Sequence, residues 1–242
     1  MSKDKRVVLP HGELIALASN LWYVEGSIKM LMGELKRNMV VYRLDGGDLL
    51  LHSVVALSPP GMAALEALGR PAYLVVPHGS HRRDAKFYKD RYPDITVIAP
   101  ASARAKVEEV IRVDATEEQA LPPLGIGLRR VEGMKPDKGE NALLVDIEGG
   151  KALIMNDAIS GGGGGFSGPA SNFIIRMFGT PGGEIGVARA VRWVGIADKV
   201  AVKRSLGQLA ETPDLKVLTF SHGTPVRQAV AENIRWAAAQ LR

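Results

Sequence analysis

Ala72-Tyr73-Leu74-Val75-Val76 runs straight into Pro77-His78-Gly79-Ser80-His81-Arg82-Arg83-Asp84. The first five residues are apolar and rich in β-formers, so they predict a buried strand. The polar residues after them fall on the loop at its end. A second segment repeats the arrangement: Lys216-Val217-Leu218-Thr219-Phe220 leads into Ser221-His222-Gly223-Thr224-Pro225. The chain has five histidines, and three of them lie at these two strand ends. Rigid scaffolds present their chemistry on loops at the ends of buried strands, so a metal or acid/base site is the first expectation.

Composition limits what such a site can be. With 242 residues, 46% of them hydrophobic, the chain can bury a sizeable core, and a single domain over 1–242 is expected. No cysteine is present, which removes disulfides, thiolate ligands and a cysteine nucleophile. Any metal must be held by His, Asp, Glu or backbone oxygen. No apolar stretch approaches the roughly 18 to 20 residues of a membrane span. The charged start Met1-Ser2-Lys3-Asp4-Lys5-Arg6 is followed by a short apolar run that Pro10 and His11 interrupt, so no signal peptide is expected and the cytoplasm is the expected compartment. The net charge of +5 is weak evidence for anionic partners. Nucleic acid is not an expected partner: aromatics are 5% and scattered, and no continuous basic stripe is present.

Further strands are predicted at 21–24, 39–44, 49–53, 96–99, 127–131, 142–146 and 151–155. Asp45-Gly46-Gly47-Asp48 and Glu148-Gly149-Gly150 read as hairpin turns, since glycine supplies the positive φ such turns need. Helical spacing covers 59–68, closed by Gly69, and also 83–91, 102–110, 196–211 and 225–241. Hairpins come first, then strand–helix units, then hairpins and helices. That order fits an α+β chain folded as an αββα four-layer sandwich. The five glycines 161–165 read as a flexible surface loop or, because they follow Asp157 closely, as a lid. Arg82, Arg83, Lys86, Lys89 and Arg91 read as a solvated basic helix. Residues 82, 86 and 89 share a face that suits carboxylate or phosphate if it meets the site.

Several of these segments together resemble the metallo-β-lactamase superfamily. Strand, then Pro-His-x-x-His-x-x-Asp, resembles its motif of a strand followed by Thr-His-x-His-x-Asp-His. Leu153-Ile154-Met155-Asn156-Asp157 resembles the later strand ending in Gly-Asp, and Val217 to Thr224 resembles the last strand, ending in histidine and glycine. Asn20 to Val24, Val40 to Leu44 and Leu49 to Ser53 resemble the opening hairpins, so the likeness spans roughly residues 20 to 226. Three positions depart from the pattern. The first motif is stretched, Met134 stands where another histidine is usual, and Asn156 replaces the glycine before Asp157. The pattern is closer to a divergent branch of that superfamily than to a two-metal hydrolase.

The resemblance implies a metal-dependent hydrolase of a small ester, thioester, lactone or phosphoester, with His78, His81, Asp157 and His222 as ligands. Asp84 would be a further ligand or an acceptor that orients a histidine. Neutral imidazoles and carboxylates at about 2.0 to 2.2 Å suit a divalent metal, Zn²⁺ first, with Fe²⁺ and Mn²⁺ open. Bound water would be the nucleophile, with Asp157 or Asp84 orienting it or acting as base. Each residue also has a purely structural reading. His78 could bond within its turn, His81 could reach solvent, and Asp157 could cap a turn. Asp84 could pair with Arg82 or Lys86. His52, among apolar residues, reads as core, and His11 as surface. The alternative reading of the whole is a metal-free, inactive scaffold that binds a small ligand or a protein partner, which Met134 and the stretched first motif favour.

Overall fold

The computed structural model describes residues 8–30, 33–162, 166–167, 177–180 and 185–241. One sheet runs in the order β1 (Ile15–Ala18), β2 (Leu21–Met30), β3 (Gly33–Arg43), β4 (Asp48–His52), β5 (Arg70–Val75), β6 (Thr96–Ala99) and β7 (Ala115–Thr116). Its first four strands are antiparallel hairpins, and β4 to β7 are parallel. The second sheet contains β8 (Gly127–Val131), β9 (Glu140–Ile147) and β10 (Gly150–Ile154). The short β11 (Phe166–Ser167) pairs back on β3, and β12 (Leu215–Thr219) completes the second sheet in the order β12-β10-β9-β8. The hairpin turns form where glycine permits them: Gly47 has φ +85° and Gly149 φ +78°.

Alternation along the strands produces the layers. In β4, Leu50 faces the second sheet, in a cluster with Val75, Ile98, Leu143, Val145, Ile154 and Val217. Its neighbours Leu49 and Leu51 face the other way, onto α1 (Pro59–Leu68), α2 (Ala85–Arg91) and α3 (Arg104–Glu108) through Met62, Leu65, Tyr88 and Val107. After the short α4 (Glu117–Ala120) and α5 (Arg189–Val194) come α6 (Lys199–Ala210) and α7 (Val230–Ala239). They cover the outer face of the second sheet, where Val202, Leu206, Ile234 and Ala237 meet Ala142, Leu153 and Leu218. The layers are therefore helix, sheet, sheet, helix, as the order of predicted elements requires. Among the described residues no helix is long and apolar enough to cross a membrane.

Four predicted helices are shorter than their spacing suggests, that at 102–110 covering only Arg104–Glu108. The basic helix begins at Ala85, because 79–82 wind as a 3-10 turn capped by His78. The helix predicted from Ile196 begins after Asp198, whose side chain accepts from the amides of Val200 and Ala201. The last helix begins five residues after Pro225. Val226 first exchanges two backbone hydrogen bonds with Leu218, and Ala229 then turns the chain at φ +48°.

Candidate metal centre

Parallel neighbours end together, and the site lies at such an end. His78 and His81 follow β5, Asp157 follows β10 and His222 follows β12, while β4, beside β5, ends in His52 and Ser53. Ligand atoms of His78, His81 and Asp157 all lie within 4.8 Å of one another. His81 Nε2 is 3.3 Å from Asp157 Oδ2, and His222 Nε2 is 3.6 Å from Asp157 Oδ1. The His81 ring centroid is 6.2 Å from that of His78 and 6.1 Å from that of His222. Three imidazoles thus stand side by side around one carboxylate.

Each group is held by its other atoms. His222 Nδ1–H donates to the Lys36 carbonyl at 2.7 Å, which leaves the Nε2 lone pair facing Asp157. His81 Nδ1 lies 2.8 Å from Ser53 Oγ, on a residue held at φ +56°. His78 is bonded at both nitrogens. Nε2–H donates to the Asp137 carbonyl at 2.9 Å, and Nδ1 accepts from Ser80 Oγ at 2.5 Å and the Ser80 amide at 3.3 Å. A metal taking His78 must displace one of these bonds.

The loops are held from beneath. Glu140, 4% exposed at the start of β9, accepts the amides of Asn156 at 2.6 Å and of Asp157 and Ala158 at 2.8 Å each. Asn38 on β3 donates to the carbonyls of Phe220 and Gly223 at 2.9 and 2.6 Å. Ser221 Oγ donates to Asn156 Oδ1 at 2.6 Å, which ties the two strand ends together. Gly161 donates its amide to the His222 carbonyl, and a Cβ there would stand 2.4 Å from the Phe220 ring. The first glycine of the run is thus a close approach beneath His222, while 163–165 lie outside the described residues. The sequence does not single out Glu140, Asn38 or Ser53, since one polar residue at a strand end resembles any exposed one.

Other expected residues sit elsewhere. Asp84 is ion-paired with the buried Arg37 and also accepts the Ala56 amide, and it stands apart from the histidine cluster. Arg82 pairs with Glu109, Lys86 with Asp90, Lys89 with Asp114 and Arg91 with Glu66. The face shared by 82, 86 and 89 is therefore largely spent in ion pairs. Met134 packs against the outer core of the second sheet and bridges Ile196. His52 is core, as expected, but lies close enough to His81 and Asp157 to feel their charge, and burial drives its pKa down to about 3. His11 is half-buried rather than on the surface, and its Nε2 accepts the Ser58 amide at 2.8 Å where α1 begins.

Burial lowers the pKa of His78 and His222, so both imidazoles are neutral at pH 7. Burial would raise the Asp157 pKa, but the surrounding His81, His222 and His78 outweigh it and hold the carboxyl well below its ordinary value. Neutral imidazoles around an ionised carboxylate are the protonation states a divalent cation requires. Ligands at about 2.1 Å in tetrahedral array stand about 3.4 Å apart, near the His81–Asp157 separation; His222 approaches the other carboxylate oxygen and stands outside the trio His78, His81 and Asp157 whose donor atoms lie within 4.8 Å of one another. Asp157 Oδ1 is buried with no hydrogen-bond partner among the described residues, as an atom reserved for a cation would be.

A cavity of about 490 Å³ opens on this cluster, lined by His81, Asp157, His222, Ser80, Arg37, Arg82 and Arg83. Ile28, Met30, Leu35 and Val110 add apolar lining.

No protein-family model matches the sequence, and no curated protein matches it at a significant level. Solved structures do match. A metallo-β-lactamase from Erythrobacter litoralis, crystallised with β-mercaptoethanol in the active site, is 15% identical with a TM-score of 0.62, over 94% of this chain and 96% of that one. The metallo-β-lactamase FIM-1 from Pseudomonas aeruginosa, in a mono-zinc form, is 13% identical with a TM-score of 0.59, over 99% of this chain and 98% of that one. The metallo-β-lactamase from Hirschia baltica is 12% identical with a TM-score of 0.59, over 93% and 97%. The chain has the metallo-β-lactamase fold.

Proposed function

We propose that this chain is a metal-dependent hydrolase of a small, negatively charged ester, thioester, lactone or phosphoester. The observation that carries the reading is Asp157: a half-buried carboxylate flanked by His81 and His222, with its buried Oδ1 left without a hydrogen bond among the described residues. His81, Asp157 and His222, joined by His78, would hold a divalent metal, with zinc first by donor chemistry and Fe²⁺ or Mn²⁺ next. Such a metal supplies a water acidified toward pH 7 and an electrophile for the scissile group. The chain's own residues do the positioning. The Lys36 carbonyl fixes the His222 tautomer, Ser53 orients His81, and Glu140 holds the loop that carries Asp157. Asp84 acts on the cavity through Arg37, not as a ligand.

A second reading has its own support. Both nitrogens of His78 are already bonded and Met134 is packed among apolar residues, which suits a scaffold that has given up metal. One experiment separates the two. Protein made without a histidine tag is assayed for metals, alongside the His78→Ala, His222→Ala double variant. About one tightly held metal per chain, lost in the variant, is expected from a site of this kind. A protein that carries none and takes up none when supplied would leave the scaffold reading.

A further inference from the structure

Two arginines, Arg37 and Arg83, line the cavity beside the histidine cluster. Arg37 is 1% exposed on β3, and its Nη2 donates to Asp84. Its Nε and Nη1 are buried with no hydrogen-bond partner among the described residues. Buried polar hydrogens without partners are uncommon in folded proteins and call for a ligand or an ordered water. Arg83 stands close enough for its charge to act on Arg37. It is exposed at the end of the 3-10 turn that carries His81, and no hydrogen bond or ion pair is formed by it among the described residues. Arg37, Arg83 and Asp84 together line a smaller cavity beside the main one. Arg82, also on the cavity wall, is already paired with Glu109. Arg37 and Arg83 line both the 490 Å³ cavity, with His81, Asp157 and His222, and the smaller one of about 180 Å³.

We propose that Arg83, backed by Arg37, forms a subsite for one carboxylate of the substrate, which is a monoanionic acyl compound with an apolar chain. Guanidinium groups match carboxylates through paired hydrogen bonds, and such bonds strengthen away from water. Ile28, Met30, Leu35 and Val110 supply the apolar wall along which the chain lies, with the bond to be cleaved at the Asp157 end. The cavity volume lies in the range of small-ligand sites. This deepens the hydrolase reading by naming its substrate class.

The test reads binding rather than turnover, so it stands whether or not the protein hydrolyses anything. Hexanoate, hexanamide and hexyl phosphate are titrated calorimetrically into the full chain, as purified and again after chelation of metals. The same titrations are repeated with Arg83→Gln and Arg83→Lys. Hexanoate is expected to bind best and to lose roughly tenfold or more in affinity in Arg83→Gln. Arg83→Lys keeps the charge without the fork and should fall between. Hexanamide should bind more weakly and ignore both substitutions. The proposal is overturned if hexanoate and hexanamide bind alike or not at all, or if Arg83→Gln leaves hexanoate binding unchanged. Loss of hexanoate binding on chelation would assign the carboxylate to the metal and also overturn it. Tighter, Arg83-dependent binding of hexyl phosphate would overturn the carboxylate assignment. Failure of the hydrolase reading shows separately, as absence of metal.

Discussion

Glu140→Gln tests how the site is held. The carboxylate accepts three amides, Asn156 on Oε1 and both Asp157 and Ala158 on Oε2. Glutamine has the same shape but one acceptor oxygen. Its best placement keeps that oxygen on the two amides of Asp157 and Ala158 and turns its NH₂ toward the Asn156 amide, donor against donor. A buried donor left unpaired costs about 1 to 3 kcal/mol. Part of this is offset because the variant no longer buries a charge. The net expectation is a loss of about 2 kcal/mol, or about 4 to 8 °C in Tm for a chain of this size. Urea unfolding at pH 8 measures the global cost, with Glu118→Gln as a control. Hydrogen exchange at Asn156, Asp157 and Ala158 measures the local one and should quicken in the variant. A Glu140→Gln protein as stable as the parent, with unchanged protection at those amides, would refute the claim that this carboxylate holds the Asp157 loop.

Two further predictions rest on other groups. Gly223 has φ +95°, and a Cβ there would stand 2.5 Å from the Gly161 carbonyl oxygen. Gly223→Ala should therefore cost more than Gly125→Ala, which at φ +76° meets open space and loses only about 1 kcal/mol of backbone preference. Denaturant midpoints that fall equally would show that the His222 loop yields freely. Burial pushes the Glu117 carboxyl up to about 8 from 4.5. The folded chain then keeps a proton that the unfolded chain releases, so stability from this group is full below pH 4.5 and is lost as pH rises toward 8. Glu117→Gln should flatten the stability curve between pH 5 and 9, with a relative gain at pH 9 of at most about 5 kcal/mol. Parallel curves for the two proteins would contradict it.

Local sequence determined much of this molecule. The apolar runs at 73–76, 96–99 and 151–155 became strands because alternation and β-branching act within a few residues. The turns at Gly47 and Gly149 formed where only glycine is unstrained. The positions of His78, His81, Asp157 and His222 at strand ends were legible for the same reason. What these side chains do with their second atoms was not. The Lys36 carbonyl lies 186 residues from His222, and Ser53 lies 28 from His81. Such bonds depend on how the two sheets stack, and no local pattern encodes them. The same holds for Asp84, which the sequence sets near Arg82 and Lys86 but the fold sets on Arg37, 47 residues away. The charge of Arg83 is one among many basic residues in the sequence. Packing decided that its neighbours would be neutralised by Glu109, Asp90, Asp114 and Glu66 while it alone of that cluster faced the cavity unpaired among the described residues.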